Sequence, residues 1–249
     1  MSTFEDLTLR QIRDVGDKIG SEERAKLFMS GDLVLVERDR KVSVSGQSNG
    51  GVTYASGLDT AAFLADWTKF YRDVLGQNID LTAVDLPPTR PGFNWGVAVA
   101  MGITVQQAYD KCAELFPADK YTPESLNDVV PKKNDVRTTA KGAYVIWLRD
   151  RVEADDELKK KSAKQLEEAG TNCNTLLERL LLELWFHWKT NGGHLDIENV
   201  TLCAGSRSSD GDVPLVGWDD GRLRVDWYHV DGRHDDLRAR QAVSTPKAA

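Results

Sequence analysis

Alternating charges follow directly after an apolar run, AYVIWL, and form the first group of residues that could do chemistry. The group consists of Arg149, Asp150, Arg151, Glu153, Asp155 and Asp156. In open sheets, ligands often bind beyond the carboxyl ends of central strands. The group could therefore hold a phosphate or a sugar, or position a metal ion. The alternative is a solvated loop and helix start, where carboxylates interact favourably with the helix dipole.

A second group lies in the glycine- and serine-rich segment 205–212, GSRSSDGD. Its backbone amides, its hydroxyls and Arg207 could cradle an anion, with Asp210 and Asp212 at the end of the segment. The segment lacks the GK[ST] sequence and the following helix of a P-loop. It also lacks the alternating ligands and the terminal glutamate of an EF-hand loop. The alternative is a turn-rich connection held by side chain to backbone hydrogen bonds.

A third group gathers histidines and aspartates towards the end of the sequence. Its members are His229, Asp231, His234, Asp235 and Asp236, with His194 and Asp196 as further candidates. Imidazoles and carboxylates bind divalent metals or exchange protons. However, the spacing HVDGRH matches no metal motif and differs from the HExxH of zinc proteases. We therefore expect an exposed loop here, and neither a metal nor a cofactor.

The motifs of several common enzyme classes do not occur in the chain. There is no GxGxxG fingerprint, no Walker A sequence and no protein-kinase motif set. An enzyme is not excluded on this ground, because paired carboxylates leave no local signature.

Composition and charge predict a soluble cytoplasmic protein. The chain of 249 residues has a net charge of −7, which disfavours non-specific binding of nucleic acid. No apolar stretch is long enough to span a bilayer, and the first residues lack the apolar core of a signal peptide. The three cysteines are widely spaced, as expected in a reducing compartment.

The clearest structural element is a β-hairpin around Asp220–Gly221, a dipeptide that favours a type I′ turn. This two-residue loop places Asp219 opposite Arg222 and makes the two faces of the hairpin chemically different. The apolar face collects Pro214, Val216, Trp218, Leu223, Val225 and Trp227. The polar face collects Asp219, Arg222, Arg224, Asp226 and Tyr228.

A central helix is predicted after Thr175, which forms a capping box with Glu178. The run LLERLLLELWFHWK leaves only a narrow polar line, made of Arg179, Glu183 and His187. A helix that is apolar on most of its circumference is buried on most sides. We therefore expect the helix to pack between layers, to end at Gly192 and Gly193, and to pair His187 with Glu183.

The remaining elements suggest two parts of the chain. Helices and strand-like runs, including a helix from Asp59 or Thr60 to Gly76, precede a proline-rich linker at 86–92. After the linker, the apolar runs WGVAVAM and AYVIWL read as buried central strands, with a helix capped by Thr104 between them. We therefore expect an N-terminal module, 1–85, and a C-terminal α+β domain, 93–244.

Five segments of the second part carry a family resemblance: FNWGVAVAMGITVQQAYDKCAELFP, GAYVIWLRDRVEADDELK, TLLERLLLEL, HLDIENVTLCAGSRSSDGDVP and DDGRLRVDWY. From about Phe93 to Ser244, the chain resembles a family of uncharacterised conserved hypothetical bacterial proteins. The resemblance implies no activity and assigns no catalytic residue. EERAKLFMSGDLVL is similar to an N-terminal module of related proteins, which implies a short adaptor before the larger domain.

Taken together, the sequence predicts an α+β fold with a mixed sheet, a buried central helix and a C-terminal β-hairpin. The leading functional hypothesis is a non-enzymatic binding or assembly protein. It would contact a protein partner or a second copy through Arg222, Arg224 and Tyr228, because Arg and Tyr are enriched where interfaces carry energy. The alternative is an enzyme that acts on a phosphorylated or nucleotide-like substrate, in which the Arg149 and Arg207 groups would face one cleft.

Overall fold

The computed structural model describes residues 59–245, and the helices and strands predicted before Asp59 lie outside them. The helices are α1 (Thr60–Leu75), α2 (Val105–Leu115), α3 (Leu126–Val129), α4 (Ala163–Glu168) and α5 (Leu176–Thr190), with 3-10 helices at Lys132–Asn134, Thr139–Lys141 and Asp156–Leu158. The strands are β1 (Trp95–Val99), β2 (Ala118–Lys120), β3 (Tyr144–Leu148), β4 (Val200–Leu202), β5 (Val213–Asp219), β6 (Arg222–Tyr228), β7 (Leu237–Arg238) and β8 (Val243–Ser244). No helix in this part of the chain has the length and apolar character needed to cross a membrane.

The strands form two sheets, which confirms the predicted α+β class with a mixed sheet. The smaller sheet has the order β1-β3-β8 and is antiparallel throughout. The larger sheet has the order β2-β6-β5-β4-β7, in which β2 pairs with β6, and β4 with β7, in parallel. Its other neighbours are antiparallel. The β5–β6 hairpin therefore lies inside the larger sheet.

Among the described strands, β1 lies at one end of the smaller sheet, so WGVAVAM does not take the predicted central position there. AYVIWL does supply the central strand. Most of β1 is buried all the same, because α1 and α5 pack against it. The two strands are antiparallel, with Trp95 opposite Leu148, so their carboxyl ends lie at opposite edges. The rule that places ligands beyond the carboxyl ends of parallel strands does not apply to this sheet.

Helix α5 is the buried central helix predicted from its apolar run. Thr175 and Glu178 form the expected capping box, in which the Glu178 carboxylate accepts a bond of 2.7 Å from the Thr175 amide. Residues 176–184 are all buried, and the helix contacts β1 of one sheet and β5 of the other. The helix ends at Asn191, which adopts the left-handed conformation in place of the predicted Gly192.

Helix α1 packs closely on the smaller sheet. The Trp67 indole donates a hydrogen bond of 3.1 Å to the Gly96 carbonyl. A Cβ at Gly96 would come within 2.4 Å of the Phe63 ring, so this close approach requires glycine. Helix α1 shares one hydrophobic core with β1, β3 and α5, although the linker 86–92 lies between them in sequence. Because residues 1–58 are outside the described part, the division into two domains stays a prediction.

The β5–β6 hairpin has the predicted register. Asp220 and Gly221 both have positive φ, 49° and 73°, as a type I′ turn requires. Asp219 lies opposite Arg222, and the pairing continues along both strands without a bulge. The apolar face packs on the core, where the buried side chains are Pro214, Val216, Leu223 and Val225 and the half-buried ones are Trp218 and Trp227.

Four charged side chains form a buried ion network beside α5. Arg179 pairs with Glu183 and with Asp196, both at 2.8 Å, and Arg240 pairs with Asp196 at 2.7 Å. None of the four side chains is more than 1% exposed. Two cations balance two carboxylates in this network, which offsets the cost of removing each charge from water.

The predicted pair between His187 and Glu183 is wrong, because another histidine occupies that position. Nδ1 of His194 lies 2.9 Å from Oε1 of Glu183, which also accepts a bond of 3.1 Å from the Trp218 indole. His187 instead stacks on the His194 ring, with 5.0 Å between the ring centroids.

Candidate functional site

A cavity of about 240 Å³ lies where the start of α2, helix α3, the start of α5 and the irregular segment 130–144 meet. One part of its wall is apolar and consists of Ile103, Val105, Val130 and Leu177. The polar part consists of Thr104, Asn127, Lys132, Asp135, Arg137, Thr138, Thr139 and Tyr144. Pockets that combine an apolar lining with a few converging polar groups are the usual form of small-molecule sites.

Side-chain hydrogen bonds hold together the two helices that form one wall. Thr104 and Gln107 make the predicted capping box at the start of α2. The Gln106 side chain accepts a bond of 2.7 Å from the Leu126 amide, and the Gln106 amide donates to the Asn127 side chain at 3.2 Å. These bonds fix α3 against the first turn of α2.

The floor of the polar part is an ion pair between Arg137 and Glu178. The guanidinium donates to both carboxylate oxygens at 2.8 Å, and Glu178 is fully buried. The Tyr144 hydroxyl donates to the same carboxylate at 2.9 Å. Burial raises the pKa of Tyr144 well above its usual value, with the nearby Glu178 charge adding to the effect. This tyrosine therefore stays protonated, and the floor is neutral and fixed in position.

Asp135 is a half-buried carboxyl group of the cavity with a single, neutral hydrogen-bond partner among the described side chains. It accepts a hydrogen bond of 2.6 Å from the Ser206 hydroxyl, whose oxygen in turn accepts from the Leu176 amide at 2.9 Å. Burial raises the pKa of Asp135 to about 7, and the Glu178 charge adds to the rise. The Ser206 bond, Arg137 and Lys132 act in the opposite direction. Asp135 therefore changes its charge near neutral pH, as functional carboxyl groups often do.

Lys132 lies at the exposed side of the same cavity. Its ammonium donates a hydrogen bond of 2.7 Å to the Thr139 hydroxyl, and Thr139 is buried. Lys132 is thus held at the wall by a neutral group and forms no ion pair with a described residue.

The predicted group around Arg149 lies elsewhere and is held by its own neighbours. Arg149 pairs with Asp155 at 2.5 Å and donates to Gln241 at 3.0 Å. Arg151 makes two bonds with Glu157, at 2.6 and 2.9 Å, which lower the pKa of Glu157 to about 2. Asn94 donates to Asp150 at 3.2 Å. The Glu153 carboxylate accepts bonds from three backbone amides, those of Ile197, Glu198 and Asn199.

The 205–212 segment has most of its backbone amides occupied. Five of them donate to carbonyl groups of the protein, namely those of Gly205, Ser206, Ser208, Ser209 and Gly211. Arg207 donates to the carbonyl groups of Ala204 and Ser206 and pairs with Glu167 at 3.1 Å. Asp210 is exposed and Asp212 half-buried. This pattern fits the turn-rich alternative, and Arg149 and Arg207 share no partner within residues 59–245.

The polar face of the hairpin is largely exposed. Arg222 pairs with Asp119 of the neighbouring strand β2 at 2.8 Å, and Arg224 pairs with Asp219 at 3.1 Å. Tyr228 is half-buried in a second apolar cluster, and its hydroxyl donates to the Arg233 carbonyl at 3.5 Å. The two arginines are therefore accessible but already paired.

The histidine loop is exposed, and His234 contacts Asp236 within it. Between Asp59 and the end of the described chain, no group of three or more His, Cys, Asp or Glu side chains is arranged to hold a metal ion. A second, open groove of about 460 Å³ lies beside His187, where Lys111 and Glu114 pair with each other. Burial and His194 lower the pKa of His187.

The cavity was not predicted from the sequence, although one signal was present. Asp135 and Arg137 lie in the segment PKKNDVRTT, which has no helical or alternating pattern. Its only regular pieces are single 3-10 turns. A long polar connection between two predicted elements is itself a common place for a binding site. The predicted capping box of Thr175 also contained Glu178, which turns out to anchor Arg137.

Comparisons with protein-family models, with curated proteins and with solved structures found no match to this chain.

Proposed function

We propose that this chain is a binding protein for a compact small molecule, which it holds in the cavity next to Asp135. The observation that carries the proposal is that an apolar wall lies beside a carboxyl group that has no ionic partner among the described residues. Four apolar side chains line one part of the cavity, and Asp135 lies in the polar part. A ligand with an apolar body and one polar group would satisfy both parts of the wall.

The size of the cavity limits the ligand. Sites for drug-sized molecules usually have volumes of about 300–1,000 Å³, whereas this cavity has about 240 Å³. The ligand would therefore be smaller than a nucleotide. This supports a binding protein over the alternative enzyme with a nucleotide-like substrate.

The wall of the cavity supports binding without a large rearrangement. Arg137 is held by Glu178, by Asn172 and by the Cys173 carbonyl, and Tyr144 is held by Glu178. Side chains that are fixed before the ligand arrives lose little conformational entropy when it binds.

Three expectations from the sequence belong to the same proposal. The exposed Arg222 and Arg224 would contact a protein partner or a second copy, and such contacts would first have to release Asp119 and Asp219. A cytoplasmic location is supported by the sequence composition and the cysteine spacing. Membership of the uncharacterised bacterial family rests on the resemblance of residues 93–244.

Nuclear magnetic resonance can test the proposal with benzyl alcohol as a neutral probe. We expect saturable shifts of amide signals around Asp135 and Leu177. Val105→Phe should fill part of the cavity and weaken binding at least about tenfold, an affinity loss of about 1.4 kcal/mol. Leu115→Phe is the matched control, because Leu115 is exposed at the other end of α2. Shifts that are absent, or equal in both variants, would contradict the proposal.

A further inference from the structure

We propose that the ligand of this cavity is a compact organic cation, with an ammonium group bound to Asp135 and an apolar body against Val130 and Leu177. This inference rests on the proposed function and adds the charge class of the ligand.

The first argument is the charge balance of the site. Glu178 is neutralised by Arg137 through two bonds of 2.8 Å. Asp135, by contrast, is bonded to the neutral Ser206 hydroxyl, and the nearby Lys132 donates to Thr139. Within residues 59–245, no ion pair includes Asp135. A half-buried carboxylate without an ionic partner is costly, so a bound cation would supply the missing charge.

The second argument concerns the protonation of Asp135. The groups that face it are Lys132, Arg137, Glu178 and Ser206, and with them burial leaves its pKa at about 7. Without a cation beside it, this carboxyl group therefore takes up a proton more readily than an exposed aspartate does. A ligand ammonium would replace this proton and lower the pKa of Asp135, because an adjacent cation favours the charged carboxylate.

The third argument is that the described residues offer an anionic ligand no buried cation without a partner. Arg137 is occupied by Glu178, by Asn172 and by the Cys173 carbonyl. Lys132 is exposed and already bonded to Thr139. A carboxylate or phosphate in the cavity would also face Asp135, and like charges close together repel each other.

The apolar wall indicates the size of the ligand body. A dry cavity of about 150 Å³ can hold benzene, and this cavity of about 240 Å³ has room for a ring with a short substituent. Ile103, Val105, Val130 and Leu177 provide the surface for such a ring. An arylalkylamine or a branched alkylamine fits this description.

The experiment compares three probes of nearly equal shape: benzylamine, benzyl alcohol and benzoate. Each is titrated into the full chain at pH 8 and at pH 6, with affinity measured by nuclear magnetic resonance. We expect benzylamine to bind at least tenfold more tightly than benzyl alcohol at pH 8, and benzoate to bind most weakly. The benzylamine affinity should fall about tenfold at pH 6, because Asp135 is then mostly protonated.

Two variants test whether Asp135 is responsible for the preference for benzylamine. Asp135→Asn should remove the preference for benzylamine and leave the affinity for benzyl alcohol unchanged. Asp128→Asn is the matched control, because Asp128 is an exposed carboxylate on the neighbouring helix α3. If Asp135→Asn fails to fold, the pH dependence of the wild-type protein still tests the inference.

The outcomes separate the inference from the proposed function. Equal binding of benzylamine and benzyl alcohol, or tighter binding of benzoate, would overturn the cationic ligand and leave a binding cavity. An equal benzylamine affinity at pH 6 and pH 8 would also overturn the cationic ligand and leave a binding cavity. If none of the three probes binds, or if Val105→Phe has no effect on any of them, both the inference and the proposed function are wrong.

Discussion

The hydroxyl group of Ser206 donates a hydrogen bond of 2.6 Å to Asp135, and these two residues lie 71 positions apart in the sequence. Ser206 also accepts a bond from the Leu176 amide at the start of α5. One hydroxyl group thus joins the loop before the hairpin, the cavity and the central helix. The bond favours the ionised carboxylate, since it lowers the pKa of Asp135 against the effect of burial.

Ser206→Ala should therefore raise the pKa of Asp135 above about 7, because the charged form loses its hydrogen-bond donor. The titration of the Asp135 side-chain carbon can be followed by nuclear magnetic resonance. Ser208→Ala serves as the control, because the Ser208 hydroxyl is buried without a hydrogen-bond partner in the described residues. An unchanged pKa in Ser206→Ala would mean that the bond does not stabilise the carboxylate.

Protein stability should depend on the charge of Asp135. An unfolded aspartate has a pKa of about 3.9, and burial raises the folded value to about 7. The group thus contributes stability that is fully present below the unfolded pKa and is lost as the pH rises through the folded pKa. The Asp135→Asn variant has no titrating group at this position. Its stability relative to that of the wild type should therefore increase when the pH is raised from 5 to 8.

Urea melts at the two pH values measure this gain. We expect more than about 1.4 kcal/mol, the equivalent of one pKa unit. Asp128→Asn should show no comparable change, since this side chain is exposed. A difference of the opposite sign would show that the folded protein favours the charged form of Asp135.

Leucines of α5 should be sensitive to truncation. Leu180 and Leu184 are fully buried in the core between the two sheets. Leu180→Ala or Leu184→Ala should lower the free energy of unfolding by about 2–5 kcal/mol. Lys189→Ala on the same helix should cost less than about 1 kcal/mol, because its pair with Asp66 is partly exposed. If chemical denaturation showed the same loss of unfolding free energy for the leucine variants and for Lys189→Ala, the central position of the helix would be contradicted.

Adjacent residues of β6 offer a test of the two faces of the hairpin. Leu223 is fully buried, and Leu223→Ala should cost about 2–5 kcal/mol. Arg224 points to the exposed face and pairs with Asp219, so Arg224→Ala should change stability by about 0.5 kcal/mol or less. Thermal melts of both variants would show a reversed order if the faces were exchanged.

The hairpin and the central helix could be predicted because their signals are local. Asp220 and Gly221 determine the turn type, and the alternation of side chains then sets every pair from Pro214 to Trp227. In α5, the capping residue and the apolar run are likewise contiguous in sequence. The side chains of such elements are placed by the backbone geometry of a single segment.

The cavity and the order of the strands could not be predicted in this way. Asp135 acquires its environment from Ser206 and Glu178, which come from different parts of the chain. For β1, an apolar sequence shows that both faces are covered, but it does not show whether another strand lies beside each edge. Helices that pack on a sheet cover the faces of a strand, but they place no further strand beside its edge.

The ion network beside α5 has a consequence for the order in which the chain can fold during synthesis. Asp196 and Glu183 share a single guanidinium, that of Arg179, until Arg240 has been made 44 residues after Asp196. A ribosome releases the chain from its N-terminus, so α5 emerges before its second buried cation exists. The central helix can therefore complete its buried ion network only late in translation, once Arg240 has been made.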